Sequence, residues 1–504
     1  MKKFHVTKSN NAFLSGKKQT GKKLIMLMGF LLLSAHLMAQ NTSYNLNSVS
    51  ISGSNNSAFG FQALKNNIAD FNIAIGYFAL YSNSTGTFNT ANGANALWQN
   101  TKGSYNTANG GETLSSNTEG SGNTATGSSA LRKNITGDNN TANGISALGS
   151  NITGDNNTAN GSYALASNTT GYQNSANGSS ALYSNITGNG NTANGYTALN
   201  KNTTGLYNTA TGMSALYSNT KGNYNTANGK DALYSNLTGS ENTANGYGAL
   251  YLNETGNHNT ADGYFALSTN TKGSDNTAIG YQTLYSNTSG SDNTATGYKT
   301  LYSNTTGIQN TAMGRWALSA NLHGDGNTGI GYNVLNYNST GNYNTAVGLS
   351  ALEYNLNGDN NTAIGISALF SNDIGNYNTA SGHFSLYANT SGDYNTAYGV
   401  QSLQSNNKGS NNTALGYKAD VLSGDLSNAT ALGYNATATA SNQVRIGNNS
   451  VTSIGGKVNW SALSDGRFKK NVKEDIAGLE FIEKLRPVSY EIDQAKLQSF
   501  LKTD

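Results

Sequence analysis

The side chains able to carry chemistry are few. The chain has five histidines and no cysteine. The histidines show no ligand spacing, and without thiols there is no disulfide, no thiolate metal site and no cysteine-linked lipid anchor. Asp138, Asp155 and Asp359 are scattered and do not make the aspartate-rich nonapeptide of calcium-binding β-rolls. No phosphate loop, dinucleotide fingerprint or nucleophile elbow with partners can be assembled. No cofactor and no metal is therefore expected. What the chain has in abundance is polar side chains at fixed intervals. Asn-x-Thr triplets recur and formally match glycosylation acceptors. Their recurrence reads better as turn chemistry, in which asparagine bonds its own backbone and a following glycine accepts positive φ. Thr90, Thr107 and Thr124 share a column, and a flat hydroxyl ladder there could order water or meet a crystal surface. The 30 tyrosines have two readings. One is an exposed strip for a glycan or a surface. The other, favoured because tyrosine is an ordinary β residue, is stacked rings covering coil edges. Charge concentrates at the end of the chain, where 16 of the 41 residues from Ser464 to Asp504 are charged. On its residues alone, Ser464-Asp465-Gly466-Arg467-Phe468-Lys469 is a charged, solvated turn before a helix.

The element that must position these groups is a 17-residue repeat, clean from Ser104 to Gly120. Its central glycine falls at Gly60, Gly76, Gly93 and then every 17 residues to Gly433, giving 23 copies. Two residues before that glycine stands alanine, with Gly329 the exception in the column. Threonine stands three before it and asparagine four before it, with Ala429 the asparagine exception. Leucine stands four after it, from Leu64 to Leu403, and a second glycine closes most units.

A repeat of this period means a solenoid or array. Asn-Thr-Ala-x-Gly alternates as a strand does, with alanine and glycine on one face. Small residues there suit a close approach of another backbone. The Ala-Leu pair supplies the apolar wedge. Strand, turn, strand, turn in each unit describes one coil of an all-β parallel solenoid spanning residues 51–437. A helical reading fails against 60 glycines and abundant asparagine and threonine. Low charge with much Gly, Asn and Ser also suits disorder, but the strict period and fixed leucines argue against it. Stacked coils would align asparagines into amide ladders, and 23 coils would make a rod of roughly 110 Å. One buried leucine gives roughly 1.5–3 kcal/mol, against roughly 17–34 kcal/mol of backbone entropy per coil. Ladders, alanine packing and contact with other chains must supply the rest, which favours an oligomer.

The flanks differ from the repeat. Lys22 and Lys23 precede an apolar run, Leu24 to Leu33, and Ala39 offers a small residue before a cut. Residues 1–39 therefore read as a secretory signal, too short for a comfortable membrane span. The expected address is secreted or cell surface, with no membrane span once the signal is removed. That segment holds seven of the 29 basic residues and no acid, so the mature chain carries 22 basic against 26 acidic side chains. A basic balance confined to a signal implies no nucleic-acid partner. Residues 40–50 form a polar lead-in. A longer loop is expected at Tyr417 to Asn428, and residues 438–463 read as a neck. The closing segment reads as a short α+β unit, with a helix from Asp475 to Leu485 stopped by Pro487 and a strand through Val488, Tyr490 and Ile492.

Two resemblances follow from these motifs. The Asn-Thr-Ala-x-Gly-x-x-Ala-Leu unit resembles the head repeats of trimeric autotransporter adhesins. That resemblance implies a left-handed parallel β-helix assembled as a homotrimer, with a surface or glycan receptor as partner. Ser464-Asp465-Gly466-Arg467-Phe468-Lys469-Lys470-Asn471-Val472, followed by Leu485-Arg486-Pro487-Val488-Ser489-Tyr490, resembles the start of the intramolecular chaperone domain of endosialidases and phage tail fibres. Residues 464–504 would then be the N-terminal part of such a domain. The resemblance implies that Ser464 is the nucleophile of a self-cleavage, Lys469 its base, and Asp465 and Arg467 supporting residues. A lysine in that role needs a depressed pKa. The address carries the first prediction. Exported protein should begin at Gln40, as N-terminal sequencing would read; an intact Met1 on exported protein, or a purely cytoplasmic product, would sink it.

Overall fold

The computed structural model describes residues 41–44 and 52–457. The signal, most of the lead-in, the end of the neck and the whole of residues 464–504 lie outside the described residues. The chain divides into two units, Met1–Ser450 and Val451–Asp504. The described part of the first is an all-β parallel solenoid with one coil per sequence repeat. No helix occurs among the described residues.

Each coil contributes one three-residue strand, Thr-Ala-x, as in Thr107–Asn109 and Thr226–Asn228. These strands stack in parallel and in register, Thr107 beside Thr124, Ala108 beside Ala125 and Asn109 beside Thr126. Alternation does what it must in a strand: alanine points inward and is fully buried, while its neighbours face out.

The expected second strand is absent from the repeats. The Ala-Leu side is a chain of turns in which leucine itself has positive φ, 51° at Leu97, and so has the residue two before it, 58° at Asn95. A left-handed conformation costs an ordinary residue roughly 1–2 kcal/mol. The physical reason is geometric. A strand would place Ala96 and Leu97 on opposite faces, whereas the reversal at Leu97 puts both inside, each fully buried. The ladder continues through the strained residues: Asn95 N–H donates to Tyr77 O at 2.8 Å and Leu97 N–H to Thr113 O at 3.0 Å.

The glycines have two separate reasons. The central one, such as Gly127 at φ 121°, turns the chain beyond the strand, and a Cβ there would stand 2.6 Å from Gly144 O. The closing glycine was expected at positive φ and is not there. It is glycine because a Cβ on Gly120 would meet Asn117 Oδ1 at 2.5 Å and Asn134 Nδ2 at 2.7 Å.

Those asparagines form two internal ladders. In the ladder before the strand, Asn106 Nδ2 donates to Asn89 Oδ1 at 3.2 Å and to Gly120 O at 2.8 Å. Its backbone N–H reaches the same Asn89 Oδ1 at 3.0 Å. In the ladder after the leucine, Asn100 Nδ2 donates to Asn83 Oδ1 at 2.7 Å and to Gly103 O at 2.9 Å. The two meet on one carbonyl, since Asn89 Nδ2 also donates to Gly103 O, at 2.9 Å. With a net of about 1 kcal/mol per hydrogen bond, the asparagines of a coil outweigh its leucine. Among the described buried side-chain polar atoms, only Asn333 Oδ1 lacks a partner.

The exceptions in the columns obey the same packing. Where the alanine before leucine becomes threonine, its hydroxyl is satisfied: Thr113 Oγ1 donates to Gly127 O at 2.8 Å. Gly329 replaces the strand alanine in the coil that carries Val334 for the second alanine. A Cβ on Gly329 would lie 3.3 Å from Val334 Cγ1. Ala429 ends the first ladder, its N–H capping Asn412 Oδ1 at 2.8 Å. The stretch from Tyr417 to Asn428 is no intruding loop, for the 17-residue spacing holds across it. The second face here becomes a strand, Asp420–Val421, paired with Thr437–Ala438. Burial pushes the Asp420 carboxyl up, against the pull of Val421 N–H at 2.9 Å and of Ser405.

Two predictions follow. Val334→Ala should cost roughly 2 kcal/mol for its lost methyls, and Gly329→Ala roughly 1–3 kcal/mol by overpacking. The double variant restores the consensus coil and should return near wild-type stability; additive losses in denaturant unfolding would show that the two sites do not share space. Asp420 has a folded pKa above its unfolded one, so its contribution is intact in acid and is lost as pH rises through the folded value. Asp420→Asn should therefore raise the melting midpoint at pH 7, with the gain vanishing below about pH 4. An equal shift at both pH values would refute the burial argument.

Candidate functional site

The Asn-x-Thr asparagines sit in the second ladder, Asn134 fully buried with its amide on Asn117 Oδ1 at 2.8 Å and Gly137 O at 2.9 Å. The local bond to Gly137 is the turn bond expected. The stacking bond was missed, and the signal for it was the column's unbroken asparagine from Asn67 to Asn406. These side chains are structural, so functional groups must lie on the outer faces.

The first outer face is the sheet. Its threonines stand in register and are partly exposed, Thr124 beside Thr141. The column between alanine and glycine divides this face. From Asn92 to Asp262 it is polar, with exposed amide ladders such as Asn143 Nδ2 to Asn160 Oδ1 at 2.8 Å. From Ile279 onward it is mostly apolar, and Met313, Ile330, Val347, Ile364, Leu415 and Leu432 are all exposed. They lie on adjacent or nearby rungs, Met313 beside Ile330 and Val347 beside Ile364.

The second outer feature is aromatic. Tyr247, Tyr264, Tyr281 and Tyr298 stack with ring centroids 5.5, 5.3 and 5.2 Å apart. Tyr217, Tyr234 and Tyr251 make a second stack at 5.1 and 5.2 Å. Both sequence readings meet here, since the rings stack over coil edges and stay partly exposed. Ring faces inside a stack are taken by the coils above and below. What such a strip offers a ligand is ring edges and phenol hydroxyls. Burial, with Tyr217 and Tyr251 on either side, pushes the Tyr234 phenol up. Cations sit over several rings, Arg315 over Trp316 at 4.1 Å and Lys201 over Tyr217 at 5.0 Å.

Among the described residues no group of three or more His, Cys, Asp or Glu is placed to hold a metal. Among the described residues there is no helix long and apolar enough to cross a membrane. Ser464, Asp465, Arg467 and Lys469 lie outside the described residues, and their geometry carries no part of this site. A comparison with known proteins finds no matching family model and no matching curated protein.

Proposed function

We propose that the chain is a secreted or surface-exposed fibrous protein of adhesin or tail-fibre type, whose solenoid is both its structure and its binding surface. The observation that carries this reading is the solenoid itself: its buried asparagines are spent on internal ladders, leaving two long, regular, outward-facing strips. Resemblance adds the assembly. Three copies would associate, and residues 464–504 would begin a chaperone segment that aligns them. A repetitive fibre has a register problem, because a slip of one coil restores nearly the same contacts. A non-repetitive segment that trimerises first would set the register, and its removal by Ser464 with Lys469 as base would trap the product kinetically. Asp465 and Arg467 would orient that pair.

A second reading has its own support. The half-exposed threonines stand in register on a parallel sheet, as a face that orders water or meets ice or a crystal would require. Thermal hysteresis separates the two readings, since the fibre reading requires none.

For the fibre, light scattering and denaturing electrophoresis on the full-length gene product are decisive. Trimers are expected, with release of the C-terminal segment lost in Ser464→Ala and in Lys469→Ala while trimers persist. A monomer, or cleavage that proceeds equally without Ser464, would remove the chaperone reading and leave the solenoid.

A further inference from the structure

One stretch of the outer surface departs from its own pattern. The column after the leucine carries Tyr217, Tyr234, Tyr251, Tyr285 and Tyr302 further along the rod. Between Trp98 and Tyr183 the same column reads Ser115, Arg132, Gly149, Ala166. The column two after the central glycine empties in parallel, from Phe78 through Asn95, Glu112, Ser129 and Ser146 to Tyr163. With no aromatic ring between its aromatic ends, this stretch is hollowed along the coils. Its first hollow runs from Phe78 and Trp98 over Ser115 and Ser116 to Arg132. Its second runs from Arg132 and Lys133 over Ser146 and Gly149 to Tyr163 and Tyr183. Arg132 lines both.

The chemistry of the lining is specific. Trp98 is 40% exposed, and no described ring packs on it, unlike the stacked tyrosines whose faces are filled. An open indole face suits the apolar face of a sugar ring, and Tyr163 and Tyr183, 46% and 41% exposed, offer a second platform at the far end. The floor supplies serine hydroxyls, which both donate and accept. Glu112 Oε2 lies 3.6 Å from Arg132 Nη1, with both side chains about half exposed. One carboxylate at that distance steadies the guanidinium and leaves its other N–H groups for a ligand. With Lys133 beside it, the trough carries a net single positive charge. The arginine fork suits a carboxylate, and the serine hydroxyls around it suit the hydroxyls of a sugar chain. From Trp98 to Tyr183 is five coils, roughly 24 Å, which spans an oligosaccharide several units long.

We infer that this trough binds a linear acidic polysaccharide, with sugar faces on Trp98 and on the Tyr163–Tyr183 pair and a uronate-type carboxylate on Arg132. The inference deepens the proposed binding role and rests on it only for the claim that the outer surface meets a ligand. Calorimetric titration of the full chain with hexagalacturonate, cellohexaose and a thymidine hexanucleotide tests it. Hexagalacturonate should bind, cellohexaose more weakly, and the nucleotide not measurably. Arg132→Ala should weaken hexagalacturonate roughly tenfold or more and leave cellohexaose unchanged. Trp98→Ala should weaken both sugars, Ser115→Trp should block both by filling the floor, and Tyr264→Ala, in a closed stack, should affect neither. An unchanged melting midpoint in each variant separates lost binding from lost fold. No binding of hexagalacturonate overturns the inference, as does binding of the nucleotide to the same extent or equal loss in Tyr264→Ala. Failure here with trimers intact would leave the fibre reading standing, while acidic-glycan binding by a monomer would do the reverse.

Discussion

The solenoid depends on one contact made in coil after coil: a glycine carbonyl that receives two asparagine amides from inside. At Gly103 these come from Asn89 and Asn100, one from each ladder. The carbonyl closes the coil, the two ladders join coil to coil, and the clamp leaves no room for a side chain on the glycine. A buried amide without a partner costs roughly 1–3 kcal/mol, so a coil that lacks one asparagine must still satisfy the other, as Asn412 is on Asn406 Oδ1 and Leu426 O where Ser423 replaces the second amide. That is why the polar interior tolerates so little variation, while the apolar positions change by compensation, as Gly329 and Val334 do.

The leucine follows from that clamp. With the amides holding the corner, the chain reverses so that alanine and leucine both face inward, and Leu97 takes a positive φ. The strain is local and repeats in every coil that carries the leucine. Surface chemistry is left to the positions the interior does not use, and these drift: asparagine gives way to isoleucine on the sheet face, and tyrosine to serine in the trough.

Much of this was legible in the sequence, for definite reasons. The period, the buried alanine and leucine columns and the parallel stacking follow from spacing alone, because in-register coils place like on like. The Thr-Ala-x strand was legible because alternation has one meaning over so short a span. The second strand was misread because an apolar pair between two turn signals looks like a short strand, whereas Ala96 and Leu97 both face inward, which a strand does not allow. The closing glycine was misread because a glycine after asparagine usually signals φ, and here it signals contact with a neighbouring coil, which no single repeat displays. The trough was invisible as a motif. It is an absence of aromatic rings in two columns that become neighbours only when the chain is wound. The residues of the self-cleavage reading, Ser464 and Lys469, rest on resemblance and draw nothing from the solenoid.

The ladders also have a direction. Each amide donates toward the amino-terminal neighbour and accepts from the carboxyl-terminal one, in both rows: Asn106 to Asn89 and Asn100 to Asn83. Dipoles aligned head to tail add, and each polarises the next. The two inner ladders thus carry dipoles of one sense, positive toward the amino-terminal coils and negative toward the carboxyl-terminal ones, while the exposed asparagine ladder on the sheet runs the other way. A coil laid on in reverse would set donor against donor and acceptor against acceptor. Winding therefore has an inherent sense, and the two ends of the rod are chemically different surfaces although the sequence between them hardly changes.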